Sequence, residues 1–166
     1  MQTAVSSYGA TISFSPKWWS YVSSTRIMVA SFCNVHLADE EIADKIAMTA
    51  QELLENAVKY SASQEENVAL RFEINEEDNV VSLEVTNQAT PESIATLRAQ
   101  YAEVCEGDPL LAYLQKMQRI AMNPNAEGSQ LGLARIRYET GSEITMKVDG
   151  NHVTMGVEFQ MKRAAT

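Results

Sequence analysis

The chain has 166 residues and a net charge of −9, from 13 basic and 22 acidic side chains. This length predicts one domain with a substantial core, and the acidic balance argues against a nucleic-acid partner. The sequence has no apolar run of membrane-spanning length, no secretion signal and only two well-separated cysteines, so we expect a cytoplasmic protein with free thiols and no membrane contact.

Ten elements are predicted from hydrophobic periodicity and from capping and turn residues. In chain order they are a strand over 10–14, helices over 17–37 and 39–61, strands over 68–74 and 80–86, helices over 91–104, 110–122 and 131–139, and strands over 142–148 and 152–161. Antiparallel strand pairs with helices between them predict an α+β fold, a two-layer α/β sandwich. Its sheet should be mixed but mostly antiparallel, with helices on one face.

Capping residues mark the expected helix starts. Ser15 followed by Pro16 is typical of an N-cap with proline at the first helical position, and Thr90 precedes Pro91 in the same way. Asp39 is the predicted N-cap of the second helix. These residues predict where three of the helices begin.

Two adjacent tryptophans lie at the start of the first predicted helix. Trp18 and Trp19 cannot both face one core, because neighbouring helical residues point in different directions. This helix is therefore a candidate surface for a homodimer or another partner; the alternative is an ordinary, partly exposed tryptophan.

A polar stripe runs along the second predicted helix. Glu52, Asn56 and Lys59 are separated by four and three residues, which places them within roughly 60° of one another around the helix axis. A carboxylate, an amide and an ammonium on one stripe are groups that can hold Mg²⁺ and a polyphosphate. The alternative is a solvated helix flank with one charge pair, and the spacing alone does not choose between them.

A glycine-bearing loop precedes the predicted helix at 131–139. The segment 128–132 reads Gly-Ser-Gln-Leu-Gly, and a loop of this kind before a helix N-terminus can bind an anion through free backbone N–H groups. The alternative is a connector whose glycines serve turn geometry. By itself, the loop is a weak signal.

Together, the two motifs resemble those of the GHKL ATPase superfamily, which includes sensor histidine kinases, anti-sigma factor serine kinases and type II topoisomerases. ELLENAVKYS resembles the N box, and GSQLGLARI resembles the second glycine box. The short chain is most similar to stand-alone bacterial anti-sigma factor serine/threonine kinases, the SpoIIAB/SiaB-like regulators. The resemblance implies a Bergerat-type fold and a single GHKL ATPase-like domain over 1–166, with an N-terminal strand and helix in 1–38 and an ATP-binding core in 39–162.

The resemblance also implies roles for individual residues. Glu52 would be the catalytic general base that aligns water or a substrate hydroxyl, and Asn56 would be the Mg²⁺ ligand. The remaining residues implied to bind the nucleotide are Lys59, Asn87, Gly128, Leu131 and Gly132. The segment 88–130 would be a lid, from which Lys116 or Arg119 could reach a phosphate.

The chain departs from the family at the first glycine box, which is normally DxGxG. Here 87–91 reads Asn-Gln-Ala-Thr-Pro, so Asn87 replaces the aspartate and both glycines are absent. An asparagine oxygen can still accept a hydrogen bond from an adenine amine, although it is neutral. Gln130 likewise replaces the middle glycine of the second box. These changes bear most on adenine recognition.

Three functions are therefore compared. The first is an ATP- and Mg²⁺-dependent serine/threonine kinase of the anti-sigma factor type, acting on a small regulatory protein in a bacterial partner-switching pathway. The second is a catalytically inactive GHKL-fold binding module that sequesters a partner. The third, plain ATPase activity, fits less well because the chain has no transducer domain.

Overall fold

The computed structural model describes residues 7–124 and 131–161, and its elements follow the predicted order. The helices are α1 (Ser20–His36), α2 (Glu40–Lys59), α3 (Pro91–Cys105), α4 (Pro109–Met122) and α5 (Leu131–Thr140). The strands are β1 (Ser7–Phe14), β2 (Val68–Asn75), β3 (Val80–Gln88), β4 (Ile144–Asp149) and β5 (His152–Gln160). The predicted α+β two-layer sandwich is confirmed.

The five strands form one sheet in the order β1-β2-β3-β5-β4. Within the described ranges, every neighbouring pair is antiparallel, so the expected mixed sheet is antiparallel throughout. Alternate side chains of β2 and β3 are buried under the helices, as the two-residue period of a strand requires. The opposite sheet face carries polar side chains such as Arg71, Glu84 and Glu158.

Helix α2 lies at the centre of the helical layer and packs against β2, β3, α1 and α5. Its N-cap is Asp39, as predicted, and the Asp39 carboxylate accepts hydrogen bonds from the backbone N–H groups of Glu41 and Ile42. Ile46, Leu53 and other apolar side chains on one side are fully buried. The core thus fixes the rotation of α2 about its axis and places the polar stripe at the edge of the core.

The start of α1 differs from the prediction. Helix α1 begins at Ser20, and its N-cap is Trp19, which has no side-chain capping bond. The Ser15 hydroxyl instead donates a hydrogen bond to the backbone carbonyl of Gln64, 2.6 Å away, so it does not cap this helix. The predicted N-cap at Ser15 was therefore wrong, and α1 begins at Ser20 and not at about residue 17.

Both tryptophans at this end of the molecule are about half exposed, Trp18 at 53% and Trp19 at 52%. The buried stripe of α1 consists of Val22, Thr25, Val29 and Cys33. The remaining cysteine, Cys105, is half-buried, and both thiols are free. No helix within residues 7–124 and 131–161 is long and apolar enough to cross a membrane.

Candidate functional site

The two motifs meet where α5 packs against α2. Gly132, the second residue of α5, is buried directly against the side chain of Glu52. A Cβ atom added at Gly132 would lie 3.3 Å from Glu52 Cδ and would overlap Oε2. The absence of a side chain at Gly132 is therefore what allows the N-terminus of α5 to approach the carboxylate so closely.

The Glu52 carboxylate has one cationic neighbour, Arg135, among the contacts that the described residues make. Arg135 Nη1 lies 3.3 Å from Glu52 Oε1, and Arg135 Nε donates to Glu139 Oε1 at 2.8 Å. The side chain of Glu52 is only 18% exposed. Burial is the main cause that raises the pKa of Glu52 above its usual 4.5, and the nearby Glu55 raises it further, whereas Arg135 lowers it.

The other two stripe residues continue along α2 toward its C-terminus. Asn56 is half-buried one turn beyond Glu52, and Lys59 is exposed. The Lys59 ammonium lies over the Tyr60 ring, 5.0 Å from its centroid. The hydroxyl of Tyr60 accepts a hydrogen bond of 2.7 Å from Gln100 of α3. The stripe therefore passes from the edge of the core at Glu52 to solvent at Lys59.

Asn87 lies at the end of β3 and faces the helices. It follows Val81, Leu83 and Val85 in the alternation of buried residues, and it is 3% exposed. Its amide Nδ2 donates to the Gln88 carbonyl at 3.1 Å. That bond orients the amide with its acceptor, Oδ1, on the other arm of the side chain.

The segment that replaces the first glycine box is tied to its surroundings through the backbone. Ala62 N donates to Gln88 O, and Ala89 N donates to Asn151 O, both at 2.8 Å. Ala89 is also 1% exposed. The first of these bonds joins the end of β3 to the residues that follow α2, so Asn87 belongs to the same end of the molecule as Lys59.

The remaining predicted residues are not all placed at this site. Leu131 is half-buried as the first residue of α5, whereas Gly128 lies outside the described residues. Lys116 and Arg119, the proposed phosphate contacts of the lid, both pair with Glu103 of α3, with Lys116 Nζ 3.2 Å from Glu103 Oε2. Those pairs hold α4 to α3 and occupy both cations.

Sequence reasoning missed Arg135 and Glu139. Arg135 lies three residues after Gly132 and therefore on the same helix face, and Glu139 lies one turn further on, where it can pair with Arg135. This spacing could have revealed an Arg–Glu pair on α5. It could not have shown that the guanidinium also reaches across to Glu52 on α2.

The residues present fit part of a nucleotide and metal site. Gly132 lies at the N-terminus of α5, where backbone N–H groups favour an anion, and the space beside its Cα is occupied by the Glu52 carboxylate. The side-chain oxygen of Asn56 is a ligand of the hard type that Mg²⁺ prefers. The segment 87–91 fits less well, because Ala89 is buried at a position where GHKL ATPases have a glycine.

Comparisons with known proteins point to the fold alone. No protein-family model and no curated protein matches the chain. A chain in the crystal structure of the SiaB–SiaC complex from Pseudomonas aeruginosa has a similar fold, with a TM-score of 0.64 and 12% sequence identity. The likeness covers 90% of this chain and 88% of that one, so it extends over almost the whole of both.

Proposed function

We propose that this protein binds ATP with Mg²⁺ and transfers the terminal phosphate to a serine or threonine hydroxyl of a small regulatory protein, as anti-sigma factor kinases do. The observation that supports it best is the contact between Gly132 and Glu52, which joins the two motif segments. A contact of this kind is expected if the N box and the second glycine box form one site.

In this proposal, each residue of α2 has a role that matches its position. The half-buried Glu52 accepts the proton of the attacking hydroxyl as that oxygen bonds to the γ-phosphorus, and the electron pair of the broken bond leaves on ADP. Asn56 supplies a side-chain oxygen to Mg²⁺, and exposed Lys59 meets a phosphate. Bound Mg²⁺ would supply charge neutralisation on the phosphates.

The partner is inferred from the fold. The similar chain comes from a complex of two proteins, SiaB and SiaC, which supports a second protein as the ligand of this chain also. A small regulatory protein that carries an accepting hydroxyl is the partner expected of an anti-sigma factor type of kinase.

The burial and backbone bonding of the segment 87–91, which stands in place of the first glycine box, favour a second function. Ala89 is buried and its backbone is bonded to Asn151, so the loop that follows Asn87 is fastened where a nucleotide-binding loop would need freedom. If this closes the adenine end, the protein is a catalytically inactive module that sequesters its partner. The two functions differ in whether ATP binds.

Calorimetric titration of ATP, with and without Mg²⁺, separates them. We expect saturable binding that requires Mg²⁺ and is lost in Asn56→Ala, because this change removes the proposed metal ligand. Asn34→Ala is the matched control, since Asn34 is an exposed helical asparagine on α1. Binding by the control but not by Asn56→Ala would support the kinase.

Turnover tests the role of Glu52. Glu52→Ala should retain MgATP binding, but its rate of phosphate release should fall by about 10²–10⁴-fold, the usual contribution of a general base. Full activity in Glu52→Ala would refute the base assignment. No binding to the wild type at millimolar ATP would refute the kinase and leave the binding module.

A further inference from the structure

Arg135 joins two helices through two carboxylates. Its Nη1 meets Glu52 Oε1 of α2 at 3.3 Å, and its Nε donates to Glu139 Oε1 of α5 at 2.8 Å. A guanidinium is planar and rigid, so bonds to two of its nitrogens fix its orientation. The Arg135 side chain is 41% exposed and thus lies at the rim of the site, not in the core.

The two oxygens of Glu52 are constrained by residues one turn apart on α5. Oε1 faces Arg135, while Oε2 lies against the Cα of Gly132, in the space where any larger residue would place its Cβ. Gly132 leaves the space that Oε2 occupies, and Arg135 holds Oε1 on the other side. Together they select one orientation of the Glu52 side chain.

We propose that Arg135 is a positioning residue for the phosphoryl transfer: it holds the Glu52 carboxylate in the orientation in which it can accept the proton of the attacking oxygen. This inference rests on the proposed function. Arg135 itself takes no part in the bonds that change. The proton moves from the attacking O–H to Glu52 and afterwards to solvent, and phosphate moves from ATP to the acceptor.

The charges around Glu52 explain why a cation is needed there. Glu55 on α2 and Glu139 on α5 both raise the pKa of Glu52, and burial raises it most. Arg135 opposes all three through its charge and its hydrogen bond. Without Arg135, burial, Glu55 and Glu139 would still favour the protonated acid, and a protonated acid cannot act as a base.

A direct titration of the Glu52 carboxyl by NMR tests the coupling in the ligand-free protein. We expect the pKa of Glu52 to rise in Arg135→Gln and to rise less in Arg135→Lys, which keeps the charge but not the two-sided contact. Arg71→Gln is the matched control, because Arg71 is also an exposed arginine paired with a glutamate, Glu73, but on the opposite face of the sheet. The control should leave the Glu52 titration unchanged.

The hydrolysis of MgATP as a function of pH tests the role in the reaction. In Arg135→Gln the acidic limb of the pH profile of kcat should move to higher pH. At mildly acidic pH, kcat should fall roughly tenfold, while KM should change less than about twofold. Arg135→Lys should restore part of the loss. If Arg135→Gln does not fold, as judged by circular dichroism, the lysine variant serves as the test, with a smaller shift in the same direction.

Four results would overturn the inference in whole or in its reaction role. An unchanged Glu52 titration in the Arg135 variants would mean that the pair is not coupled. A shifted titration with an unchanged pH profile would exclude a role in turnover, and a loss confined to KM would indicate phosphate binding instead. If the wild type neither binds nor hydrolyses MgATP, the proposed function fails and the reaction role with it, while the ligand-free titration still shows whether Arg135 controls Glu52.

Discussion

In the proposed reaction, Gly132→Ala is expected to impair phosphoryl transfer while leaving the fold nearly as stable as before. The new Cβ would lie 3.3 Å from Glu52 Cδ and would overlap Oε2, so the carboxylate must move. Forced overpacking costs about 1–3 kcal/mol where neighbouring atoms cannot yield. Here the atoms that it meets are the end of a flexible side chain, which can yield by rotating away.

The other contributions are small and partly opposed. Alanine is preferred to glycine inside a helix by up to about 1 kcal/mol, and Gly132 does not have the positive φ that alanine would resist. Losing the Glu52–Arg135 pair costs about 1 kcal/mol at most, because Arg135 is 41% exposed. The net change in the free energy of unfolding should therefore stay within about 1 kcal/mol, or roughly 2–4 °C in Tm.

Gly9→Ala provides the contrast. A Cβ at Gly9 would meet the backbone carbonyl of Phe72 and lie 3.2 Å from Glu73 Cα, and backbone atoms of a paired strand cannot rotate away. We expect this variant to lose about 1–3 kcal/mol of stability. Thermal and urea denaturation would measure both variants, and phosphate release would measure the activity of Gly132→Ala. A loss above about 2 kcal/mol in Gly132→Ala, or full activity with unchanged stability, would refute the reasoning.

Three further predictions concern stability and reactivity. The pKa of Glu52 in the folded protein lies above its usual 4.5, so the ionised carboxylate reduces stability at neutral pH. Glu52→Gln should therefore raise the free energy of unfolding at pH 7, and this gain should vanish as the pH falls below 4.5. A gain that persists in acid would contradict the prediction. Asp39→Ala should lose about 1 kcal/mol in urea denaturation, because two backbone N–H groups lose their acceptor, whereas Asp44→Ala, an exposed change within the same helix, should lose less. Burial raises the pKa of the Cys33 thiol to about 11 and also raises the pKa of Cys105, so both thiols should react slowly at pH 8. Because Cys105 is only half-buried, iodoacetamide should label it first and Cys33 only on unfolding, and equal labelling rates in a mass-spectrometric time course would exclude this order.

The elements that the sequence predicted correctly are those fixed by local signals. The apolar spacing of α2 and its Asp39 cap act within one helix, and alternation in β2 acts within one strand. The predicted N-cap of α1 was wrong because the Ser15 hydroxyl donates its hydrogen bond to the backbone carbonyl of Gln64, a residue far along the chain. Likewise, the polar residues after 86 predicted that β3 ends there, but the strand continues to Gln88 because it pairs with β5 as far as His152.

The candidate site divides in the same way. One helix carries Glu52, Asn56 and Lys59, so helical geometry alone could predict their common face. That Glu52 and Gly132 belong to one site could be expected only from the resemblance to a family, because the contact joins two distant segments of the chain. Arg135 was missed since its partner across the interface depends on how α5 is rotated against α2, a property of tertiary packing.

The two ends of the proposed site differ in the groups that they could offer to a nucleotide. At the α2–α5 end, a buried glycine, a carboxylate and an amide lie where phosphates and Mg²⁺ would be met. At the β3 end, Asn87 offers a neutral acceptor in place of a charged one, and the following loop is bonded at Ala89. A neutral hydrogen bond contributes about 0.5–1.5 kcal/mol, roughly half of what one to a charged group does, so any affinity for ATP should depend mainly on the phosphate end. Such a site would distinguish nucleotides by their phosphates more than by their bases.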